Sequence, residues 1–413
     1  MSLHVPFFRP DILEPEIEEV VAALRSGWLT TGPRVKRFEE EFAAAVGARY
    51  AVALNSCTAA LHLAVHALGL QAGQGVLVPT MTFAATAEVV RYEGGIPILI
   101  DCDPVTGNID LDHAERTIAR LRDGQGPAGL PADMAIVGIM PVHVGGFMMN
   151  MDALHAFAAR HGLWVVEDSA HAFPASWRRS PDDGWQRCGE ATARVSCFSF
   201  YANKTITTGE GGMAVTDDQE LEAHIRLLSL HGLSHDAWGR YSGSGSWDYR
   251  IMAPGYKYNM TDVAAAVGIH QLARAEQMRV AREAIALQYR ERLAGVEELA
   301  LPIVDGDRIH SWHLFPVRLQ LGRMAIDRNQ FMRELHQQGV SCSVHWRPLH
   351  LHPYYEQTFG WQADDLPRAS CAWPTLVSLP LFSSMRQDEI DHVVSTVSDV
   401  CTRTSRTLAS GAR

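Results

Sequence analysis

Short apolar runs alternate with helical patterns through the first half of the chain, and this alternation constrains the fold most. The runs are residues 52–54, 76–78, 96–100, 136–140, 163–167 and 195–200. Helical periodicity separates them, as at 58–68, where Leu61, Ala64, Val65 and Leu68 share one face. Strands that are joined by helices and are apolar on both faces form mostly parallel sheets. The sequence therefore predicts an α/β fold with helices on both sides of a mostly parallel sheet.

The N-terminal and C-terminal segments differ from this alternating region. Residues 15–25 predict a helix, with Ile17, Val20, Val21 and Leu24 on one face. A continuous helical stretch is predicted from about 261 to 293, and the elements beyond it are shorter and mixed. We predict a large domain at 1–270, a smaller C-terminal α+β domain at 271–402 and a disordered tail at 403–413.

Composition excludes several functional classes. A net charge of -11 argues against nucleic-acid binding, which usually needs a basic surface. No apolar run reaches the roughly 18–20 residues that span a bilayer, so no membrane partner is expected. The seven cysteines contain no C-x-x-C pair, and no H-E-x-x-H spacing occurs among the histidines. We expect a reduced cytoplasmic protein without a metal site.

Lys204 is the most informative single residue. It follows the apolar run at 195–200 and precedes a Gly-rich turn at 209–212. A lysine at the end of a buried strand is costly unless its amine is used. A desolvated lysine can form a Schiff base, which is how pyridoxal phosphate (PLP) enzymes hold their cofactor. Taken alone, a solvated surface lysine is the commoner explanation.

Three further motifs add to this interpretation. At Cys57 and Thr58 a strand gives way to a helix, whose N-terminus favours a phosphate; the alternative is an ordinary helix cap by Asn55 or Ser56. Asp168 ends a strand, where a carboxylate can pair with a protonated ring nitrogen or merely cap a helix. Phe83 follows a strand end, where it can stack on a planar cofactor or belong to the core. Together with Lys204, these motifs predict a PLP site.

The chain resembles the DegT/StrS family of PLP-dependent sugar aminotransferases from residue 7 to about 400. The markers are residues 26–33, the four motifs above, and residues 230–232, 255–262, 310–315 and 378–382. The resemblance implies the PLP-dependent transferase fold type I and a homodimer with active sites at the subunit interface.

The resemblance also implies roles for individual residues. Lys204 corresponds to the Schiff-base lysine, Asp168 to the partner of the pyridinium nitrogen and His171 to the contact near the phenolic oxygen. Phosphate contacts correspond to Cys57, Thr58 and Ser199, and the stacking ring corresponds to Phe83. Asn259 corresponds to a phosphate ligand that reaches into the other subunit's site.

The implied reaction moves an amino group from L-glutamate to a nucleotide-linked 4-ketosugar, with UDP favoured as the nucleotide. Residues 255–262 and 312–315 resemble enzymes that make UDP-4-amino-4-deoxy-L-arabinose, whereas 199–212 resemble perosamine synthases, so the sugar stays open. Thr30, Thr31 and the loop at 242–246 are candidates for substrate contact. The alternatives are a C3-ketosugar, an acceptor without a nucleotide, or a PLP-binding regulatory protein. A related dehydratase is disfavoured, because such relatives carry histidine in place of Lys204.

Overall fold

The computed structural model describes residues 3–127, 129–131, 133–190, 193–234 and 250–406. The predicted substrate loop at 242–246 lies outside these residues. The helices are α1 (Glu14–Ser26), α2 (Pro33–Val46), α3 (Cys57–Ala67), α4 (Ala85–Tyr92), α5 (Leu111–Arg122), α6 (Met151–His161), α7 (Gln219–Ser229), α8 (Asp262–Ala273), α9 (Ala275–Leu293), α10 (Arg328–Gln337), α11 (Pro353–Phe359), α12 (Pro367–Ala372) and α13 (Gln387–Thr404). The strands are β1 (Tyr50–Leu54), β2 (Gly75–Pro79), β3 (Ile96–Ile100), β4 (Ile136–Ile139), β5 (Trp164–Asp168), β6 (Ser176–Trp177), β7 (Gln186–Arg187), β8 (Val195–Ser199), β9 (Gly212–Thr216), β10 (Leu299–Ala300), β11 (Arg308–Ile309), β12 (Phe315–Leu319) and β13 (Leu376–Leu379).

Seven strands form the central sheet in the order β1-β9-β8-β5-β4-β2-β3. The pairs from β8 through β5, β4 and β2 to β3 are parallel, and this confirms the predicted mostly parallel sheet. Strand β9 runs antiparallel to both of its neighbours, β1 and β8. It was not among the predicted strands, although it is buried along its whole length. Because β9 reverses direction between them, β1 and β8 point the same way as the other parallel strands.

The two larger hydrophobic cores of the described residues divide along helix α9. Met278 belongs to the core under the central sheet, and Ile285 belongs to a second core around the sheet β10-β12-β13. The predicted continuous helix at 261–293 is two helices, because the backbone at Arg274 leaves the helical conformation with φ -109° and ψ 4°. The domain bounds 1–270 and 271–402 remain a prediction.

The end of the described chain and helix α1 both differ from expectation. Helix α13 continues to Thr404, and Ser405 bridges to Met324, so residues 403–406 of the predicted tail are structured. On α1 the predicted apolar face is turned outward, with Ile17 and Leu24 about half exposed. Glu16 is buried instead, because it accepts hydrogen bonds from the side chains of Arg274 and Gln271. Among the described residues, none of the helices is both long and apolar enough to cross a bilayer.

Candidate active site

The carboxyl ends of β1, β2, β5 and β8 meet at one edge of the central sheet and place the predicted site residues there. A pocket of about 450 Å³ opens at this edge. Seven of the predicted residues line it: Cys57, Thr58, Phe83, Asp168, His171, Ser199 and Lys204. Open α/β sheets bind their ligands at this position, beyond the carboxyl ends of the strands.

Lys204 lies in a short turn just beyond β8, where its backbone N–H donates to the Tyr201 carbonyl over 2.9 Å. Burial lowers the pKa of its amine to about 8, and the nearby Cys57 and Asp168 oppose this shift only in part. A pKa of about 8 leaves a useful fraction of neutral, nucleophilic amine near neutral pH. The structure therefore gives Lys204 the electrostatic environment of a reactive lysine.

Asp168 ends β5 and is buried at the base of the pocket. The Thr86 hydroxyl donates to its Oδ2 over 2.7 Å, and the Ala170 N–H donates to its Oδ1 over 3.2 Å. Burial raises the pKa of Asp168, while these two hydrogen bonds and the amine of Lys204 act in the opposite direction. A cationic ring nitrogen beside this carboxylate would counter the effect of burial, lower the pKa of Asp168 and stabilise the ion pair.

The N-terminus of α3 is built as an anion site. The Ser56 hydroxyl caps the helix by accepting from the Ala59 N–H over 3.1 Å. Within the described residues, the N–H groups of Cys57 and Thr58 in the first turn have no hydrogen-bond acceptor. A Cβ at Gly212 would lie 2.4 Å from the Cys57 nitrogen, so only glycine allows β9 to approach this closely. Free N–H groups and the helix dipole together favour a phosphate.

Three imidazole rings and one indole line the pocket: His171, His313, His345 and Trp346. Of these, the sequence predicted only His171 as a site residue. The His171 ring stacks on Trp346 with centroids 5.0 Å apart and lies 4.2 Å from His313. Burial lowers the pKa values of His171 and His313 well below the ordinary value, and that of His345 to about 4. These rings are therefore neutral at pH 7. The signal for His313 was its place within the family marker at 310–315.

Phe83 lines the pocket with 63% of its surface exposed. This excludes the alternative that Phe83 belongs to the core. An exposed aromatic ring at the mouth of a pocket is available to stack on a planar ligand.

Three predicted residues do not line the pocket. Asn259 donates from Nδ2 to the Thr31 hydroxyl over 2.7 Å, and that hydroxyl donates to the Met260 carbonyl over 2.5 Å. The Thr30 carbonyl accepts from the Asp262 N–H over 3.2 Å. Thr30, Thr31 and Asn259 thus form a separate polar group, and their contact with substrate or cofactor remains a prediction.

A family model for the DegT/DnrJ/EryC1/StrS aminotransferases matches residues 10–398 of the chain. The chain belongs to this family. Spore coat polysaccharide biosynthesis protein SpsC of Bacillus subtilis is 42% identical to this aminotransferase over 397 residues, which cover 96% of this chain and 97% of SpsC. The uncharacterized protein MJ1066 of Methanocaldococcus jannaschii is 41% identical over 396 residues, covering 96% of this chain and 97% of MJ1066.

Solved sugar aminotransferases share the fold of this aminotransferase. The putative sugar aminotransferase Spr1654 of Streptococcus pneumoniae, in its PLP form, is 31% identical with a TM-score of 0.84, over 97% of this chain and 99% of that one. CalS13 of Micromonospora echinospora is 27% identical with a TM-score of 0.80, over 96% of this chain and 99% of that one. The predicted family, fold type and cofactor are confirmed, and the protein is a PLP-dependent sugar aminotransferase.

The residues of the pocket fit this cofactor. The free N–H groups of Cys57 and Thr58 suit a phosphate, the buried Asp168 suits a cationic ring nitrogen, and the amine of Lys204 suits a covalent link to an aldehyde. All three groups line the same pocket, and Phe83 adds an exposed ring.

Proposed function

We propose that this aminotransferase moves an amino group from L-glutamate to a nucleotide-linked 4-ketosugar, with UDP as the favoured nucleotide. The convergence of Lys204, Asp168 and the α3 N-terminus in one pocket is the observation that carries the proposal. The similarity to SpsC, whose name refers to polysaccharide biosynthesis, supports a sugar as the acceptor. All seven cysteines are unpaired, which supports the predicted cytoplasmic location.

Each residue of the pocket has a distinct part in this reaction. When bound, PLP supplies an electron sink for the carbanion that forms at the donor carbon. When PLP is bound, Lys204 would hold it covalently at rest. Its released Nζ would then take the proton from the donor carbon and pass it to the cofactor carbon. Asp168 keeps a positive charge on the ring nitrogen beside it. The low pKa of Lys204 makes its amine a ready proton acceptor near neutral pH.

The remaining residues orient the reactants. The N-terminus of α3, with Cys57 and Thr58, binds the phosphate, and Ser199 adds a hydroxyl from the end of β8. His171 is neutral, and its Nδ1 accepts from the Gly145 N–H over 3.3 Å, so Nε2 carries the proton. That N–H is a donor for an anionic oxygen on the cofactor ring. Phe83 covers the cofactor face at the mouth of the pocket.

A second copy of the chain completes the site in this proposal. Among the described residues that line the pocket, Lys204 is the only lysine or arginine. A diphosphate-linked sugar and a dicarboxylate donor both need further cationic or N–H partners. Five apolar side chains in or near α1 are 42–53% exposed, which supports burial of this segment in a homodimer: Ile12, Leu13, Ile17, Leu24 and Leu29. Asn259, Thr30 and Thr31 would then serve the partner's pocket.

The test loads the purified enzyme with pyridoxamine phosphate and mixes it with UDP-, dTDP- and GDP-linked 4-ketosugars. We expect one UDP sugar to restore the visible absorption of bound PLP and to gain an amine, measured by mass. A C3-ketosugar and a free ketosugar in the same panel test the alternative acceptors. If no sugar responds while L-glutamate still bleaches the bound PLP, the proposed acceptor is wrong. If L-glutamate has no effect either, the proposed donor is wrong.

A further inference from the structure

A second, much smaller cavity adjoins the active-site pocket at Lys204. Its volume is about 10 Å³, and its lining combines five polar residues, Lys204, Thr205, His171, His313 and Ser199, with Ala170, Phe173 and Ile206. Lys204, His171, Ser199 and His313 also line the main pocket. A cavity of roughly 10–15 Å³ accommodates a single water molecule when polar groups surround it.

Two of the side chains that line this cavity have polar atoms without a hydrogen-bond partner. The Nδ1 atom of His313 and the Oγ1 atom of Thr205 are both fully buried and unpaired among the described residues. The two residues are only 4% and 6% exposed. Leaving such a group unpaired costs about 1–3 kcal/mol, and buried waters usually satisfy groups of this kind.

Hydrogen bonds hold the two residues that precede His313. Trp312 has a left-handed φ of 50°, and its N–H donates to His310 Nδ1 over 2.8 Å. The buried Arg282 guanidinium donates to the Trp312 carbonyl over 3.2 Å and to the Leu381 carbonyl over 2.9 Å. The Ser311 hydroxyl donates to the His171 carbonyl over 2.5 Å. The strain at Trp312 is therefore offset by several hydrogen bonds that hold the backbone next to His313.

We propose that this cavity binds one water molecule, which accepts a hydrogen bond from the Lys204 amine and joins it to His313 Nδ1 and Thr205 Oγ1. His313 and Thr205 are thus positioning residues for Lys204, acting through the water. This inference rests on the proposed role of Lys204, and it assigns a function to His313 that the resemblance did not.

The water would act on the charge of Lys204. The other titratable groups near this amine are Cys57 from α3, Asp168 from β5 and the rings of His171, His313 and His345, with Tyr201 and Glu210 also lining the main pocket. A water oxygen accepts from an ammonium group and so favours its charged form. Removing the water should lower the pKa of Lys204 further. The water thereby holds the released amine in place and limits how far burial depresses its pKa.

The first test is a crystal structure at about 1.5 Å resolution of the enzyme loaded with pyridoxamine phosphate, the form in which the Lys204 amine is free. We expect one ordered water in the cavity, about 2.6–3.2 Å from Lys204 Nζ, His313 Nδ1 and Thr205 Oγ1. A dry cavity, or a direct hydrogen bond between His313 and Thr205, would overturn the proposal. This readout does not depend on the substrate. The water can therefore be absent while the proposed sugar reaction is observed, or present while that reaction is not observed.

The second test measures the pKa of Lys204 in the cofactor-free full chain, from the pH dependence of the rate of PLP capture. Thr205→Val and His313→Leu should each lower this pKa by about 0.5–1 unit. The double variant should shift it no further than the larger single shift, because both act through one water. Thr205→Ser and His313→Asn keep an acceptor and should titrate like the wild type. Thr396→Val, a buried threonine of α13, controls for loss of a buried hydroxyl elsewhere. If all variants titrate alike, the proposal is wrong.

Discussion

The Thr86 hydroxyl donates a hydrogen bond of 2.7 Å to Oδ2 of Asp168. This bond stabilises the ionised carboxylate, which the reaction needs opposite the cofactor ring. Thr86→Val keeps the shape of the side chain and removes the donor. We expect kcat to fall about tenfold or more, which corresponds to the loss of about 1.5 kcal/mol from a hydrogen bond to a charged group, while KM changes little.

Steady-state kinetics on the acceptor sugar measure this effect. Thr117→Val is the matched control, because Thr117 is also a buried threonine in a helix but lies in α5, outside the pocket. An unchanged kcat in Thr86→Val would show that the hydroxyl does not support Asp168. An equal loss in Thr117→Val would show a general packing defect instead.

The amine of Lys204 should titrate far below a free lysine. Only the neutral amine captures PLP, so the capture rate of the cofactor-free enzyme should rise with pH and level off above about 8, the pKa that burial gives Lys204. An ordinary lysine would level off only above about 10.4. The visible absorption of bound PLP follows the reaction after rapid mixing.

Lys204→Ala and Lys204→Arg are the controls for that experiment. Neither variant should develop the covalent absorption at any pH, and neither should transaminate. If Lys204→Ala kept full transamination, the proposed role of this lysine would be wrong.

If each active site draws on both subunits, two inactive variants should restore each other. Lys204→Ala removes the amine, and Asn259→Asp places a negative charge where the proposal has a phosphate of the partner's site. A mixed dimer would hold one site with both defects and one with neither. Equal mixing of the two variants after subunit exchange should therefore recover roughly a quarter of the wild-type activity.

Active sites that are each built from a single chain predict a different result. If each site were built from one chain, every site in the mixture would keep its own defect, and no activity would return. Gel filtration with light scattering should show a dimer in both variants. A monomer would remove the proposed interface altogether.

Arg226 joins three elements, and its loss should destabilise the fold. Its guanidinium contacts both carboxylate oxygens of Glu39 at 3.0–3.1 Å and the Ala51 carbonyl at 3.0 Å, which links α7 to α2 and β1. Arg226→Met should lower the free energy of unfolding by about 2–3 kcal/mol, because the buried Glu39 carboxylate loses its cationic partner and keeps only the hydrogen bond from the Ala53 N–H.

Denaturant unfolding compares this variant with Arg194→Met. The pair between Arg194 and Asp218 is exposed, so its loss should cost less than about 1 kcal/mol. The double variant Arg226→Met, Glu39→Gln should recover part of the stability, since no charge is then left buried. Equal losses for the two single variants would mean that burial of Glu39 contributes nothing.

The pocket was predictable because its parts follow strand ends. Each of Thr58, Asp168 and Lys204 comes shortly after an apolar run, and parallel strands bring their carboxyl ends to one edge. The outward face of α1 was not predictable in this way. Periodicity places Ile17 and Leu24 on one side. The burial of Glu16 instead is explained by its tertiary contacts with Arg274 and Gln271.

Residues that enter the pocket from distant segments left weaker signals. His345 and Trp346 come from the C-terminal part of the chain and meet His171 across the pocket. Their spacing along the sequence carries no information about that contact. Strand β9 was not predicted for a related reason. Its five buried residues follow the Gly-rich turn directly, without a helix before them. The alternation of strands and helices therefore does not indicate a strand there, nor that it pairs antiparallel with its neighbours.

The position of β9 between β1 and β8 also determines when the sheet can be completed during synthesis. In the central sheet as the described residues form it, β1 pairs only with β9, which begins more than 150 residues later in the chain. At roughly 5–20 residues per second, a ribosome needs roughly ten to thirty seconds to make the intervening segment. Throughout that interval the nascent β1 has unpaired backbone groups and apolar side chains. Chaperone occupancy on ribosome-bound chains should therefore persist until residue 216 has left the exit tunnel.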